Sequence, residues 1–174
     1  MEQSKAKEWS ARRILIELCD SDKRRAILTS FWKNASEHDR LMPAMQLAKA
    51  LHFRDETIRK APAAKKAEWL ASRITSPMFE QVLETALMIH HTTEAREMLG
   101  AFLDAWEIPH TNGTIEGDEY RVPAEDDVRR AAAALGERFS PQDIRIYLAT
   151  AGLLMGGGWR EATWPVVDSP DTSG

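Results

Sequence analysis

The residues of this sequence best suited to hold a metal ion are a histidine and a glutamate in the segment HHTTE. His90 and Glu94 stand four residues apart, which places both side chains on one face of a helix if the helix continues through them. Imidazole nitrogens and carboxylate oxygens are common ligands of zinc and iron. A metal site needs three or four converging ligands, and the sequence supplies only pairs. A metal-dependent hydrolase is therefore the third of three functional hypotheses.

A second pattern lies within residues 43–61, where Leu47 and Ala48 are followed by Leu51, a turn, and then Thr57 and Ile58. It resembles the two-helix core of helix-turn-helix DNA-binding proteins, in which a small alanine lets the helices cross closely. The resemblance implies a second helix whose polar face enters the major groove, with lysines beyond it on the phosphates. The residues so directed to nucleic acid are Arg54, Glu56, Thr57, Arg59, Lys60, Lys65 and Lys66. An ordinary amphipathic helical hairpin gives the same apolar pattern.

The charge is divided unevenly along the chain. Residues 1–75 hold 16 Lys and Arg against 10 Asp and Glu, whereas residues 76–174 hold 7 against 17, although the whole chain carries only −4. A basic first half is compatible with a nucleic-acid partner, and it can equally attract the acidic second half. Solvated helix faces that differ by chance are the third explanation.

One long segment, residues 107–123, cannot be helical, because it contains two prolines, an Asn112-Gly113 turn pair and Gly117. No strand is predicted there or elsewhere. The segment is also the acidic centre of the acidic half. Because long loops in compact domains are often functional, we expect an ordered loop whose acidic residues either face the basic first half or present a partner-binding site. Its candidate residues are His110, Glu116, Asp118 and Glu119.

Helical periodicity fills the rest of the sequence. The segments expected to be helices are residues 5–19, 21–34, 36–51, 55–60, 62–74, 76–92, 95–106, 124–139 and 141–155, of which 76–106 can also be one long rod. Asp20, Ser36 and Ser140 are predicted N-caps, and Pro43 is expected to kink or restart its helix. The prediction is an all-α fold of about eight helices in antiparallel hairpins, either an irregular bundle or a short α-solenoid-like array.

The domain prediction is a single helical domain over residues 1–174, with a basic helical half (1–75), an acidic helical half (76–160) and a frayed tail (165–174). A chain of 174 residues with 43% hydrophobic content can bury one core without a second domain. The segment E-W-x-A-x-R-I occurs at residues 8–14 and again at 68–74, which would suit a repeat of helical hairpins. Chance similarity explains the match equally well.

The sequence shows no catalytic motif. It has no phosphate-binding loop, no Gly-x-Ser-x-Gly elbow and no Cys-x-x-Cys pair, so neither an enzyme activity nor a cofactor is expected. The single cysteine, Cys19, and the polar N-terminus favour a cytoplasmic location, and no segment is apolar enough for a membrane partner. The first functional hypothesis is therefore a protein-interaction or scaffold module, through a protein partner or self-association. DNA binding through residues 43–61 is the second.

Overall fold

The protein is all-α, as the periodicity predicts. A computed structural model describes residues 8–115 and 121–169, and these residues form ten α-helices and one small β-hairpin. The chain divides into two compact units, residues 11–94 and residues 95–174 together with residues 1–10. We call them the first unit and the second unit and describe each separately. The prediction of a single domain stays a prediction.

The first unit contains six α-helices within its described residues. They are α1 (Ala11–Arg13), which continues into a π-helical turn (Ile14–Leu18), α2 (Ser21–Asn34), α3 (Glu37–Leu51), α4 (Asp55–Lys60), α5 (Ala63–Ala71) and α6 (Glu80–Thr92), the last preceded by a 3-10 turn (Pro77–Phe79). The predicted caps are present. Asp20 accepts a hydrogen bond from the Lys23 amide at 2.7 Å, and Ser36 Oγ accepts one from the Asp39 amide at 3.0 Å.

The core of the first unit forms around α2. Its buried face consists mainly of Ile27, Leu28, Phe31 and Trp32, and the helix packs against both α5 and α6. These two helices follow much later in the chain, whereas stacked hairpins contact mainly their sequence neighbours. The first unit is therefore an irregular bundle, and its central helix is the one that carries the most aromatic residues of the unit's core.

The second unit holds the remaining described elements. They are α7 (Arg96–Ala105), β1 (His110–Thr111), β2 (Thr114–Ile115), α8 (Glu125–Leu135), α9 (Pro141–Met155) and α10 (Gly157–Val167). Ser140 caps α9 by accepting a hydrogen bond from the Asp143 amide at 3.1 Å, as its position before Pro141 predicts. α10 packs against α9 and α8, and α7 packs against α8.

The contact between α9 and α10 depends on a small residue. Gly152 is buried in α9 where Thr163 and Trp164 of α10 approach most closely. A Cβ at this position would lie 2.4 Å from Trp164 Nε1 and 2.5 Å from Thr163 Oγ1. Trp164 Nε1 also donates a hydrogen bond to the Ala149 carbonyl at 3.2 Å, so the indole is held against α9. The helices therefore pack closely because glycine has no side chain.

Four aromatic side chains form a buried cluster in the second unit. Phe102 and Trp106 come from the end of α7, Tyr147 from α9 and Trp159 from α10. The Trp106 and Trp159 rings meet edge to face with centroids 5.6 Å apart, and Phe102 contacts Tyr147 at 5.2 Å. Such pairs add to the stabilisation from area burial alone. Trp106, where the non-helical segment begins, is thus a core residue.

The prediction that the chain contains no strand was wrong. Residues 110–115 form an antiparallel hairpin in which His110 pairs with Ile115 and Thr111 pairs with Thr114. Asn112 and Gly113 make its two-residue turn with φ of 55° and 82°. Positive φ at both central residues is the requirement of the tight hairpin turn that Asn-Gly favours. The Asn-Gly pair predicts a turn, but the strands that it joins are only two residues long. Such strands are too short to show an alternation of apolar and polar residues.

The prediction of a frayed tail from residue 165 was wrong where α10 extends into it. α9 ends at Met155, and after Gly156 the chain at once begins α10 at Gly157, which continues to Val167. Gly156 and Gly157 have φ of 64° and 45°, so they reverse the chain and allow two helices to follow each other directly. Of the tail residues predicted to fray, 165–169 are helix and turn, and 170–174 lie outside the described residues.

Smaller differences concern the first 106 residues. Among residues 8–19, helix begins only at Ala11 and becomes a π-helical turn, and α3 continues through Pro43 without a break. The break at Thr92-Thr93 is real, because α6 ends at Thr92 and α7 begins at Arg96.

The two E-W-x-A-x-R-I segments differ in structure, since residues 8–14 begin before α1 whereas residues 68–74 begin inside α5. Their similarity does not mark equivalent elements.

Candidate functional site

The outer face of α3 is the most apolar exposed helix surface of the first unit. Its inner face buries Pro43, Ala44, Leu47 and Ala48. Beside this face, Leu41, Met42 and Met45 are 49%, 58% and 45% exposed. Single exposed apolar residues are common, whereas three on adjacent turns of one helix form a continuous patch. We call these three residues the α3 ridge.

A groove runs along one side of the α3 ridge, and we call it the methionine groove. Its volume is about 250 Å³, and it is lined by Met42 of α3 and by Met78 of the 3-10 turn, which is 46% exposed. Phe31, Pro43 and Val82 are its buried apolar lining. The polar lining residues are His38, Asp39, Gln46, Gln81 and Thr85. The groove therefore combines an apolar interior with hydrogen-bonding groups.

A pocket of different chemistry lies on the other side of α3, and we call it the cationic pocket. It has a volume of about 330 Å³ and is lined by three basic side chains from three helices, which are Arg40 of α3, Arg59 of α4 and Lys66 of α5. Its other lining residues are Trp32, Glu37, Leu41 and Ala44. No residue lines both the cationic pocket and the methionine groove.

Arg40 is fixed in the cationic pocket by backbone carbonyls. Its Nη1 donates a hydrogen bond to the Trp32 carbonyl at 3.1 Å, and its Nε donates one to the Ser36 carbonyl at 3.3 Å. The Trp32 carbonyl lies in the last turn of α2, where helix carbonyls lack partners within the helix. Arg40 therefore caps α2 and, at the same time, places a positive charge at the pocket wall.

Lys66 is the basic group of the pocket whose surroundings most disfavour its charge. Its ammonium lies 5.0 Å from the centroid of the Trp32 ring. Burial, and secondarily the positive charge of Arg40, lower the pKa of Lys66 below its usual value. Within residues 8–115 and 121–169, neither Lys66 nor Arg59 makes an ion pair.

The residues proposed for DNA binding lie on two helices: five belong to α4 and its N-cap, and Lys65 and Lys66 belong to α5. α3 and α4 pack together around a turn in which His52 adopts a left-handed φ of 56°, the conformation that glycine usually supplies. Ile58 is the buried residue of α4. The exposed residues of α4 and its N-cap are Asp55 and the five residues proposed to face DNA, which are Arg54, Glu56, Thr57, Arg59 and Lys60. α4 has six residues, so its length is about 9 Å.

The lysines of this set differ in their partners. Lys60 Nζ lies 2.6 Å from Glu56 Oε1, and Lys65 Nζ lies 3.0 Å from Glu68 Oε2. Both pairs are well exposed, so water screens them and their contribution to stability is small. Hydrogen bonding and charge attraction from Lys65 lower the pKa of Glu68. Lys66 instead lines the cationic pocket, separate from these two lysines.

The proposed metal pair does not share a helical face. α6 ends at Thr92, so Glu94 lies beyond the helix and is exposed, whereas His90 is buried. Its neighbour is a second buried histidine, and the His90 and His91 ring centroids are 5.1 Å apart. Burial, and then the nearby His90 and Lys23, lower the pKa of His91 to about 3. No group of three metal-ligating side chains occurs among the described residues.

The proposed partner-binding loop is described only in part. His110 is half-buried in β1, where its Nδ1 accepts a hydrogen bond from the Gly113 amide at 3.0 Å and its Nε2 lies 2.9 Å from Asp104 Oδ1. These contacts fix the hairpin turn and its distance from α7. His110 therefore has a structural role. Glu116, Asp118 and Glu119 lie outside the described residues.

Both cavities beside α3 contain residues that sequence reasoning did not select. Arg40 and Glu37 were treated as ordinary helix positions, and the exposed Leu41, Met42 and Met45 were not recognised as a surface. A signal was present, because the apolar residues at positions 41, 42 and 45 extend the apolar stripe at 44, 47 and 48 around the helix. An apolar surface wider than one helix face indicates that part of it is exposed.

The architecture defines the class of this protein as all-α, with helices packed in two compact units. Among the helices of residues 8–115 and 121–169, none is both long and apolar enough to span a membrane. Comparisons with protein families, with curated proteins and with solved structures each found no match. Functional conclusions therefore depend on the α3 ridge and the two cavities that flank it.

Proposed function

We propose that this protein is a protein-interaction module whose α3 ridge binds an amphipathic helix of a partner protein. The observation that carries the proposal is the exposure of Leu41, Met42 and Met45, each of which leaves between 45% and 58% of its surface to solvent. Complete burial of such a side chain contributes roughly 1.5–3 kcal/mol, and covering the half that is still exposed contributes about half of that.

Methionine makes this surface adaptable. Met42 and Met78 are unbranched and polarisable, so they can adjust to apolar side chains of different shapes. The methionine groove has a volume of about 250 Å³, which accommodates a few side chains rather than a whole small domain. A partner helix that places apolar residues three or four positions apart can insert them beside α3, as helix-in-groove complexes do.

The charge around the α3 ridge favours a different protein over a second copy of this chain. A symmetric dimer through α3 would bring the same patch of each subunit together. The cationic pocket with Arg40, Arg59 and Lys66 would then approach its own copy, and like charges would oppose association. We therefore propose a partner helix that carries acidic residues on the side that faces Arg40.

The test replaces methionines of the surface with glutamate. We expect Met42→Glu with Met45→Glu to reduce retention of the partner at least tenfold, because apolar burial is lost and charge is placed in the interface. Quantitative affinity purification with the wild type and the variant measures the difference. The proposal further requires that photocrosslinking from position 45 reaches an acidic amphipathic helix in the retained protein.

A matched control is available in the same unit. Met88 is 45% exposed, as Met45 is, but it lies on α6 and so outside the α3 ridge. Met88→Glu should leave partner retention unchanged, and circular dichroism should show the same thermal unfolding for all three proteins. Equal retention by the wild type and by the Met42→Glu, Met45→Glu variant would eliminate the α3 ridge as the binding surface. If the protein self-associates and these substitutions abolish the self-association, the α3 ridge binds a second copy of this chain rather than a partner helix.

DNA binding is the second candidate, and it is supported by the exposed polar face of α4 after a tight turn from α3. Arg54 and Lys60 lie on this face but outside the cationic pocket. If α4 contacts DNA, Arg54→Glu with Lys60→Glu should abolish a duplex gel shift at low salt, because two phosphate contacts become repulsive. The absence of any shift with the wild-type protein at low salt would end this proposal.

We also propose a cytoplasmic location. The support is that Cys19 is the only cysteine of the sequence and is buried, so the chain cannot form an internal disulfide. Fractionation of cells that express the tagged protein tests this directly, and recovery in a secreted or membrane fraction would contradict it.

A further inference from the structure

The cationic pocket brings together charges that repel each other. Arg40, Arg59 and Lys66 come from three consecutive helices, and Glu37 is the only acidic residue among those that line the pocket. Like charges in one cavity raise the free energy of the fold unless a counter-charge offsets them. Lys60 and Lys65, which lie near the pocket in the chain but outside it, have glutamate partners. Lys66 and Arg59 make no ion pair within the described residues, so both can pair with an external anion.

The geometry of two of these groups is already suited to an anion. Arg40 is held by the Trp32 and Ser36 carbonyls, so its guanidinium does not have to be ordered when a ligand binds. Lys66 is half-buried above the Trp32 ring, in surroundings that strengthen charge interactions relative to open water. An anion beside Lys66 would offset both the burial and the repulsion from Arg40.

The charge and size of the pocket indicate the class of ligand. Three basic groups and one carboxylate give the lining a net charge of +2. A phosphate monoester carries about −1.5 to −2 at pH 7, whereas a carboxylate or one phosphodiester of a nucleic acid carries a single negative charge. The volume of about 330 Å³ falls within the usual range of small-molecule sites. Leu41 and Ala44 supply an apolar wall beside the basic groups.

We propose that the cationic pocket binds the phosphate group of a small phosphate monoester, with Arg40, Arg59 and Lys66 as its anchors and Leu41 beside its organic part. The pocket adjoins the proposed interaction surface, because Leu41 also belongs to the α3 ridge and the acidic residues of the partner would face Arg40. The titration described next needs no partner protein, so it tests the pocket by itself. Free phosphate and a phosphate ester share the same dianion chemistry, so the experiment must separate these two sources.

Calorimetric titration of the full chain with inorganic phosphate, phenyl phosphate and acetate tests the proposal. We expect phenyl phosphate to bind at least tenfold more tightly than acetate, and more tightly than inorganic phosphate because Leu41 contacts the ring. Lys66→Met and Arg59→Met should each weaken phenyl phosphate binding at least tenfold, and Lys66→Arg should restore most of it. Side-chain nitrogen NMR should show that phenyl phosphate raises the pKa of Lys66, which a loss of structure would not produce.

The control removes two positive charges from outside the pocket, one more than each test variant removes from inside it. Lys60→Gln with Lys65→Gln should leave the affinity for phenyl phosphate within twofold of the wild type, since both lysines are exposed and paired. Equal weakening by this double variant would overturn the proposal in favour of unspecific surface attraction. Equal affinity for inorganic phosphate and phenyl phosphate would overturn the assignment to an ester. Duplex DNA that binds the pocket and is not displaced by phenyl phosphate would likewise overturn it.

Discussion

Acidification from pH 7.5 to pH 5.0 should lower the free energy of unfolding of the first unit by about 2 kcal/mol, because His91 is buried in its uncharged form. The folded pKa of His91 is about 3 and its model value is 6.5. Between these values the unfolded chain binds the proton and the folded chain does not. The contribution of the uncharged His91 to the free energy of unfolding is therefore fully present above pH 6.5 and is lost as the pH falls towards 3.

Urea unfolding at the two pH values measures this effect, with amide exchange of α2 and α6 as the readout of the first unit. His91→Leu should reduce the difference in stability between pH 7.5 and pH 5.0 by about 2 kcal/mol, because a leucine has no proton to bind. His38→Gln is the control, since His38 is exposed on α3. Parallel pH profiles of the wild type and His91→Leu would show that His91 is not the group responsible.

A second large effect is expected from Gly152→Ala, which should destabilise the second unit by about 1–3 kcal/mol. Alanine is favoured over glycine in a helix by about 1 kcal/mol, so propensity alone predicts the opposite sign. The close approach decides the outcome, because the new Cβ would lie within 2.5 Å of buried atoms of Thr163 and Trp164. Neither neighbour is the flexible end of an exposed side chain, so the two helices have to move apart.

Gly100→Ala is the matched control for this prediction. Gly100 is also inside a helix of the second unit, but a Cβ there would meet only His110 Cε1 at 3.4 Å, an ordinary contact. This variant should be neutral or more stable by up to about 1 kcal/mol. Chemical unfolding measures both variants, and the indole N–H resonance of Trp164 reports its hydrogen bond to Ala149. A Gly152→Ala protein as stable as Gly100→Ala would contradict the close packing of α9 on α10.

Local features of the fold could be predicted from the sequence, because they depend on residues close together in the chain. The caps at Asp20, Ser36 and Ser140 and the bounds of α4 are examples. The hairpin at residues 110–115 was missed because its strands are too short to show alternation. α10 was missed because two positive-φ glycines allow a new helix to begin where one ends.

The two cavities could not be predicted, since each depends on which helices meet. Arg40, Arg59 and Lys66 are spread over 27 positions of the chain, and only the packing of α3, α4 and α5 in the folded unit brings them into one pocket. The same packing separates Lys66 from Lys65, its neighbour in sequence and in the proposed DNA-binding set. The DNA-binding prediction grouped basic residues that are close together in the sequence, whereas the pocket contains basic residues from the facing sides of three helices.

The two-glycine turn between α9 and α10 has a kinetic consequence. Because it joins the helices directly, most contacts between them connect residues fewer than about 25 positions apart, and contacts of short separation form fast. The helical hairpin that α9 and α10 form is therefore expected to be structured early in the folding of the second unit. Substitution of Gly152 should then slow refolding more than it accelerates unfolding, which places its effect in the folding transition state.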